Sequence, residues 1–144
     1  MREALNGFLW SEELGYFRPW RWKQEHGDWF DALPRDLRGK LRVVVTNPPY
    51  ISESEVGDLA PEVAHHEPRG ALVSGPTGME AIERIVSDAV TWLEGDGALV
   101  LELAPHQADA AQALARSAGY ADVRIVPDLA GSDRVLVAES PRAA

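Results

Sequence analysis

Asn47, Pro48, Pro49 and Tyr50 stand in a row directly behind the apolar run Leu41-Arg42-Val43-Val44-Val45-Thr46. Together they carry the groups needed to hold a planar nitrogen. The Asn47 carboxamide offers both a donor and an acceptor, and Tyr50 offers a flat ring for stacking. Proline lacks an N–H and cannot continue a central ladder, so the strand predicted over 41–46 must stop at Asn47. A residue before proline is held to extended angles, and both Asn47 and Pro48 precede one. The backbone therefore leaves the strand as a stiff, extended finger with carbonyls free to face a ligand. Open α/β sheets place their ligands at this carboxyl end of a strand. A bare Pro-Pro-Tyr is an ordinary turn; the asparagine and the valine strand favour the functional reading.

The elements that must position this finger follow from hydrophobic period. Met79, Ile82, Ile85, Val86, Ala89, Val90 and Leu93 recur at three- and four-residue spacing and predict a helix over 77–94. Thr77 and Glu80 form its capping box and Gly95 its stop. Ala98 to Leu103 is a continuous apolar strand suited to burial on both faces. A second helix over 105–118 turns Ala108, Ala111, Leu114 and Ala115 inward and ends at Gly119. Strands near Asp122–Val126 and Arg134–Ala138 close the chain around the loop Asp128–Asp133. They lie too close for a helical crossover, so they pair antiparallel. Residues 51–70 are polar, carry Pro61 and Pro68, and predict a long loop with a short helix near 53–60. The order implies an α/β sheet with helices on both faces. Gly27 to Pro34 reads as a loop after a strand end. Residues 1–26, rich in tryptophan, are set apart: Leu5, Phe8, Leu9 and Leu14 make a weak helical face, 17–23 looks irregular, and the segment reads as a cap.

Composition narrows the chemistry. The 144 residues suffice for one domain with a core, and 45% of them are hydrophobic, an ordinary value. Cysteine is absent, which excludes disulfides and thiolate metal sites. His65-His66 lacks a further ligand at metal spacing. Val73 to Gly78 lacks the Gly-Lys-Ser/Thr of a phosphate loop, and no serine nucleophile elbow occurs. Asp88, Glu94, Asp96 and Asp109 read as solvated. The chain shows neither a membrane-spanning stretch nor a signal-peptide pattern, and a cytoplasmic location is expected. With 23 acidic against 14 basic residues the net charge is −9, which a phosphate backbone would repel. A protein or peptide substrate suits that charge better than nucleic acid.

From Gly27 to about Glu139 the chain resembles the carboxyl-terminal half of the HemK-type protein-glutamine N-methyltransferases. Gly27-Asp28-Trp29-Phe30-Asp31-Ala32-Leu33, Asn47-Pro48-Pro49-Tyr50-Ile51, Glu62-Val63 with His66-Glu67-Pro68-Arg69 and Ala71-Leu72, and Asp128-Leu129-Ala130-Gly131 with Asp133-Arg134 carry the resemblance in order. It implies a partial Rossmann-like class I S-adenosylmethionine-dependent methyltransferase fold, lacking its first strands and ending in an antiparallel strand pair. Residues 27–140 are then the carboxyl-terminal half of the catalytic domain, with 1–26 unassigned and 141–144 a tail. Ser74-Gly75-Pro76-Thr77-Gly78 departs from the family's Gly-Gly-x-Asp-Gly, and Ala104 stands where a glycine is common. The glycine-rich cofactor loop, the acidic ribose-holding residue and the helical substrate-recognition domain have no counterpart in residues 1–26. Without the first strands, 41–46 is expected to be an exposed apolar edge, covered by the tryptophan-rich start or by a partner chain.

The implied reaction is methyl transfer from S-adenosylmethionine to the side-chain amide of glutamine, in the Gly-Gly-Gln loop of peptide-chain release factors. The resemblance assigns catalysis to Asn47, Pro48 and Tyr50, substrate binding to these with Pro49, Glu62 and Glu67, and cofactor binding to Asp28, Trp29 and Asn47. Trp29 would pack on the adenine with Asp28 beside it. Asn47 would accept one amide N–H and touch the cofactor's methionine end, and the Pro48 carbonyl would accept the other N–H. No metal is expected. Two alternatives stay open: an inactive remnant or binding module of the same family, and an adenine N-methyltransferase, against which the charge and the 62–69 segment count.

Overall fold

The valines of the central run find their partners in the second apolar run. Val43, Val44 and Val45 pair in parallel with Ala98, Leu99 and Val100. The structure, a computed structural model, describes residues 7–11, 16–20, 29–31, 33–58 and 69–141. Its strands are β1 (Gly7–Ser11), β2 (Tyr16–Trp20), β3 (Leu41–Thr46), β4 (Ile51–Ser52), β5 (Val73–Gly75), β6 (Leu93–Glu102), β7 (Tyr120–Pro127) and β8 (Asp133–Pro141). The helices are α1 (Arg69–Leu72), α2 (Glu80–Trp92) and α3 (Ala108–Ala118). Short 3-10 turns occupy Arg35–Leu37, Glu55–Asp58 and Pro105–Gln107. The main sheet runs β2-β1-β3-β6-β8-β7, and β4 and β5 form a small parallel pair. β3 and β6 are parallel, and the closing β7–β8 pair is antiparallel as expected. This is an α/β arrangement that ends in an antiparallel strand pair, as the resemblance implies.

Three expectations are corrected. First, the tryptophan-rich start is neither helical nor irregular where it is described: β1 and β2 pair antiparallel from Gly7 opposite Trp20 to Ser11 opposite Tyr16. β1 also pairs antiparallel with β3, Leu9 opposite Val44. The edge of β3 is thus covered from within the chain. Aromatic and apolar residues suit a pleated surface, and an unpaired apolar edge supplies the tertiary demand that outweighs a weak helical period. Pro19 is tolerated because β2 lies at the outer edge. Leu5 and Leu14 lie outside the described residues.

Second, α2 ends at Trp92 rather than at Gly95, because Leu93 is already extended and pairs with Leu41. The register shifts between Leu41 and Val43, and Gly97 lies where an added Cβ would come 2.8 Å from the Leu41 carbonyl oxygen. Gly97 therefore serves a close strand approach, and Gly95, where an added Cβ would meet nothing within 4 Å, lies inside β6 and is not the helix stop.

Third, α2 and α3 pack against each other and lie on one face of the sheet. Successive right-handed crossovers that advance in the same direction along a sheet fall on the same side. Ile82, Ile85, Val86 and Ala89 of α2 and Ala111 and Ala115 of α3 meet Val44, Leu99, Leu101, Leu136 and Ala138 in one buried cluster. Each large apolar side chain so buried stabilises by about 1.5–3 kcal/mol. On the other face Val43, Val45, Val100, Val135 and Val137 are only half-buried. Among the described residues no helix covers them.

α3 ends as expected, at Gly119 in the left-handed conformation with φ 104°. No helix among the described residues is long and apolar enough to cross a membrane.

Candidate functional site

β3 stops at Thr46, and the chain then makes no ladder until Ile51. In between, Pro48 is fully buried, Pro49 is buried, Tyr50 is half-buried and Asn47 is exposed. The two prolines therefore anchor the finger in the fold and present Asn47 at the carboxyl end of β3. Asn47 makes no hydrogen bond to the described residues, so both halves of its carboxamide are available to a ligand.

The exit from the tetrapeptide is fastened at several points. The Ser52 N–H and hydroxyl both donate to Glu55 Oε2, at 2.9 and 2.7 Å, and the Glu53 N–H donates to the Gly75 carbonyl at 2.9 Å. Gln107, 2% exposed, donates from Nε2 to the Tyr50 carbonyl at 2.8 Å and to the Gly78 carbonyl at 3.1 Å. Its Oε1 accepts the Ala104 N–H at 3.1 Å. The Tyr50 hydroxyl donates to Glu102 Oε1 at 3.3 Å. Burial, then the charge and hydrogen bond of Glu102, push the Tyr50 phenol above its ordinary value, opposed by Arg134. The expected Thr77–Glu80 cap is present: the Thr77 N–H and hydroxyl donate to Glu80 Oε1 at 2.8 and 2.9 Å.

Beside this cluster the β7–β8 hairpin is shaped by Asp128, whose Oδ1 accepts the Ala130 and Ser132 N–H groups at 2.9 and 3.0 Å. Its Oδ2 lies 3.6 Å from Arg134 Nε. Leu129 at the tip is fully exposed.

Glu55 gives the site a measurable pH signature. Its carboxyl is held below the ordinary value of 4.5, chiefly by the hydrogen bond from the Ser52 hydroxyl and then by that from the Ser52 N–H. A carboxyl whose pKa is depressed on folding stabilises the fold above its unfolded value, and that contribution disappears as pH falls through the folded value. Glu55→Gln is therefore expected to melt below the parent chain at pH 7. The gap should narrow as the pH drops under about 4.5. Melting curves across pH check this, and a gap that stays constant down to pH 3 refutes it.

The structure brings Asn47, Pro48, Pro49 and Tyr50 together and adds Glu102, Gln107 and Gly78, none of which the sequence singled out as site residues. Asp28, Glu62, Glu67 and His65-His66 lie outside the described residues. Among those described, no group of three or more metal-binding side chains gathers. Trp29 is 7% exposed and belongs to the core. Its neighbour Phe30 stacks on Trp92, with ring centroids 5.8 Å apart. Trp92 directly precedes Leu93, which pairs with Leu41 at the start of β3, whereas Asn47 follows the end of that strand. Six strand residues separate the two poles, about 20 Å. Of the two residues expected at the adenosine end of S-adenosylmethionine, Trp29 alone is described, and the described residues do not by themselves make up a whole cofactor site.

No protein-family model matches the chain. Two solved structures of the antibiotic-resistance methyltransferase Kmr align with 76% and 78% of it, at 18% identity and TM-scores of 0.41 and 0.40, each over 55% of its own length. Sequence relatives are nearer. The release factor glutamine methyltransferase of Rhodopirellula baltica is 44% identical over 110 residues, 76% of this chain and 36% of that protein. That of Thermosynechococcus vestitus is 43% identical over 116 residues, 80% of this chain and 40% of its own length. That of Caulobacter vibrioides is 40% identical over 112 residues, 78% and 38% respectively. Over most of its length the chain is similar to the carboxyl-terminal part of the release factor glutamine methyltransferases, and it spans about two-fifths of the length of these curated relatives.

Proposed function

We propose that this chain is the amide-gripping part of an S-adenosylmethionine-dependent protein-glutamine methyltransferase, with the Gly-Gly-Gln loop of a peptide-chain release factor as its substrate. The observation that carries the reading is the exposed Asn47 carboxamide, without a hydrogen bond among the described residues and held at a strand end by two buried prolines beside a half-buried Tyr50. The names of the relatives support the substrate class.

An amide nitrogen is a poor nucleophile because its lone pair is delocalised into the carbonyl. The tasks are to orient it and to stabilise charge as that conjugation weakens. The Asn47 side-chain oxygen accepts one N–H of the glutamine amide and the Pro48 carbonyl accepts the other. Tyr50 packs against the flat amide. The methylated nitrogen is acidic enough to lose its proton to water, so no strong base is required. What S-adenosylmethionine would supply is an electrophilic methyl group, and Trp29 would pack on its adenine as the resemblance implies.

A second reading is a binding module that grips a glutamine loop without transferring methyl groups, which the exposed Asn47 at the strand end would serve equally well. Incubation of the full chain with S-adenosylmethionine and a release factor separates the two readings. Mass spectrometry showing one added methyl on the glutamine of the Gly-Gly-Gln loop supports transfer by the chain. Release-factor binding without methylation, together with no heat of binding for S-adenosylmethionine at millimolar concentration, supports the module. Absence of both methylation and release-factor binding rejects both readings.

A further inference from the structure

We propose that the segment Glu102–Gln107, between β6 and α3, is the positioning element of the tetrapeptide, gripping Tyr50 by its hydroxyl and by its carbonyl at once. Glu102 and Gln107 are positioning residues for Tyr50 and touch no reacting atom. Their role rests on the glutamine-methyltransferase reading above, whereas the two grips stand on the geometry alone.

Gln107 is the stronger observation. Among the described residues it is one of two buried polar ones, and both ends of its carboxamide are engaged, by the Tyr50, Gly78 and Ala104 backbones. Burying a polar side chain is costly unless its hydrogen bonds are made. An apolar residue would fill the same space if nothing had to be held. Here the two donors tie the end of the tetrapeptide to the turn before α2. The acceptor ties Gln107 to its own turn, so the clamp has little freedom. The second grip acts on the side chain. The Tyr50 hydroxyl meets Glu102 at the end of β6, and Glu102 is itself fixed by the antiparallel pairing of β6 with β8, opposite Val135. A tyrosine held at its carbonyl and at its phenol has the axis of its ring fixed, and only a turn of the ring about that axis keeps both contacts. The ring then holds one position relative to the Pro48 carbonyl and the Asn47 carboxamide, and a planar amide between them meets a pre-set slot. For a weak nucleophile, orientation of this kind is a large part of the rate.

The test reads the grips and the chemistry separately. In the full chain labelled at the tyrosine ring carbon bonded to oxygen, the Tyr50 signal is assigned by its loss in Tyr50→Phe. It is expected to titrate above the ordinary value of about 10, and Glu102→Gln is expected to lower that midpoint. Gln107→Leu, close in volume, is expected to shift the Tyr50 carbonyl carbon in a chain that still folds. Where transfer to a Gly-Gly-Gln peptide is measurable, Tyr50→Phe and Glu102→Gln should each lower kcat about tenfold with KM little changed. The double variant should be no slower than the worse single one. Unmoved Tyr50 signals in both Glu102→Gln and Gln107→Leu would overturn the grips. Losses that multiply in the double variant would overturn the positioning role. If no glutamine peptide is methylated at all, the function proposed above fails and the carbon signals alone decide for or against the grips.

Discussion

Asn47→Ala is expected to remove glutamine methylation almost entirely, by about 10²–10³-fold or more, while leaving the fold intact. The chemistry demands the first half. The amide to be methylated must present its nitrogen with the lone pair free of the carbonyl, and in the proposed reading the Asn47 oxygen is the side-chain acceptor that holds one N–H while this happens. Alanine leaves that N–H unpaired in a partly dry slot, and the penalty grows as charge develops on the nitrogen. The position of Asn47 in the fold dictates the second half. Asn47 is exposed and follows the last ladder residue of β3, and the buried side chains that anchor this turn are Pro48 and Pro49. Exposed substitutions free of packing or hydrogen bonds change stability by about 0.5 kcal/mol or less. Initial rates of methyl incorporation, paired with thermal melts of the same samples, check both halves. A variant that methylates at the parental rate would remove Asn47 from the site, and one that fails to melt cooperatively would show that its role is structural.

The distribution of what was legible in the sequence has a physical cause. β3, β6, α2, α3 and the closing hairpin were visible because each carries its own period or an unbroken apolar run, with local stops such as Gly119. The tetrapeptide was visible because proline constrains its own residue and the one before it. What escaped depends on partners far along the chain. The hairpin of β1 and β2 is settled by pairing with β3, Phe8 opposite Val45 and Trp10 opposite Val43, and nothing in residues 7–20 announces that partner. The common face of α2 and α3 follows from crossover direction, which element order alone does not give. Gln107 holds a carbonyl 57 residues away in sequence, and Glu102 a hydroxyl 52 residues away. In sequence Gln107 is one polar residue at a helix start. The one local sign was its place just ahead of the inward-facing Ala108, where an exposed side chain would be unremarkable and a buried one is not. The adenine-facing role read for Trp29 rests on resemblance; the structure shows Trp29 buried and its neighbour Phe30 stacked on Trp92.

Gly78→Ala is expected to cost about 3 kcal/mol of folding stability and to disturb the site at the same time. Two terms add. Gly78 has φ +81°, a left-handed angle that a side chain adopts at a cost of about 1–2 kcal/mol. Its added Cβ would also lie 2.7 Å from the Tyr50 carbonyl oxygen and 3.1 Å from the Ser52 nitrogen. Both are main-chain atoms, fixed by the β4–β5 pairing and by Gln107, whose Nε2 would itself be 3.0 Å away. No flexible side chain can move aside, so the Tyr50 carbonyl must shift off Gln107 or α2 must retreat from the tetrapeptide. Gly39 supplies the control. Its φ is +71°, yet an added Cβ there meets nothing within 4 Å, so Gly39→Ala should show the backbone term alone. Urea denaturation of both variants isolates the overlap as the difference between them, a further 1–3 kcal/mol or so. Equal losses in the two would mean that the turn before α2 does not press on the tetrapeptide. A larger loss in Gly78→Ala, joined to a shifted Tyr50 carbonyl signal, would show that stability and the geometry of the amide slot depend on the same close approach.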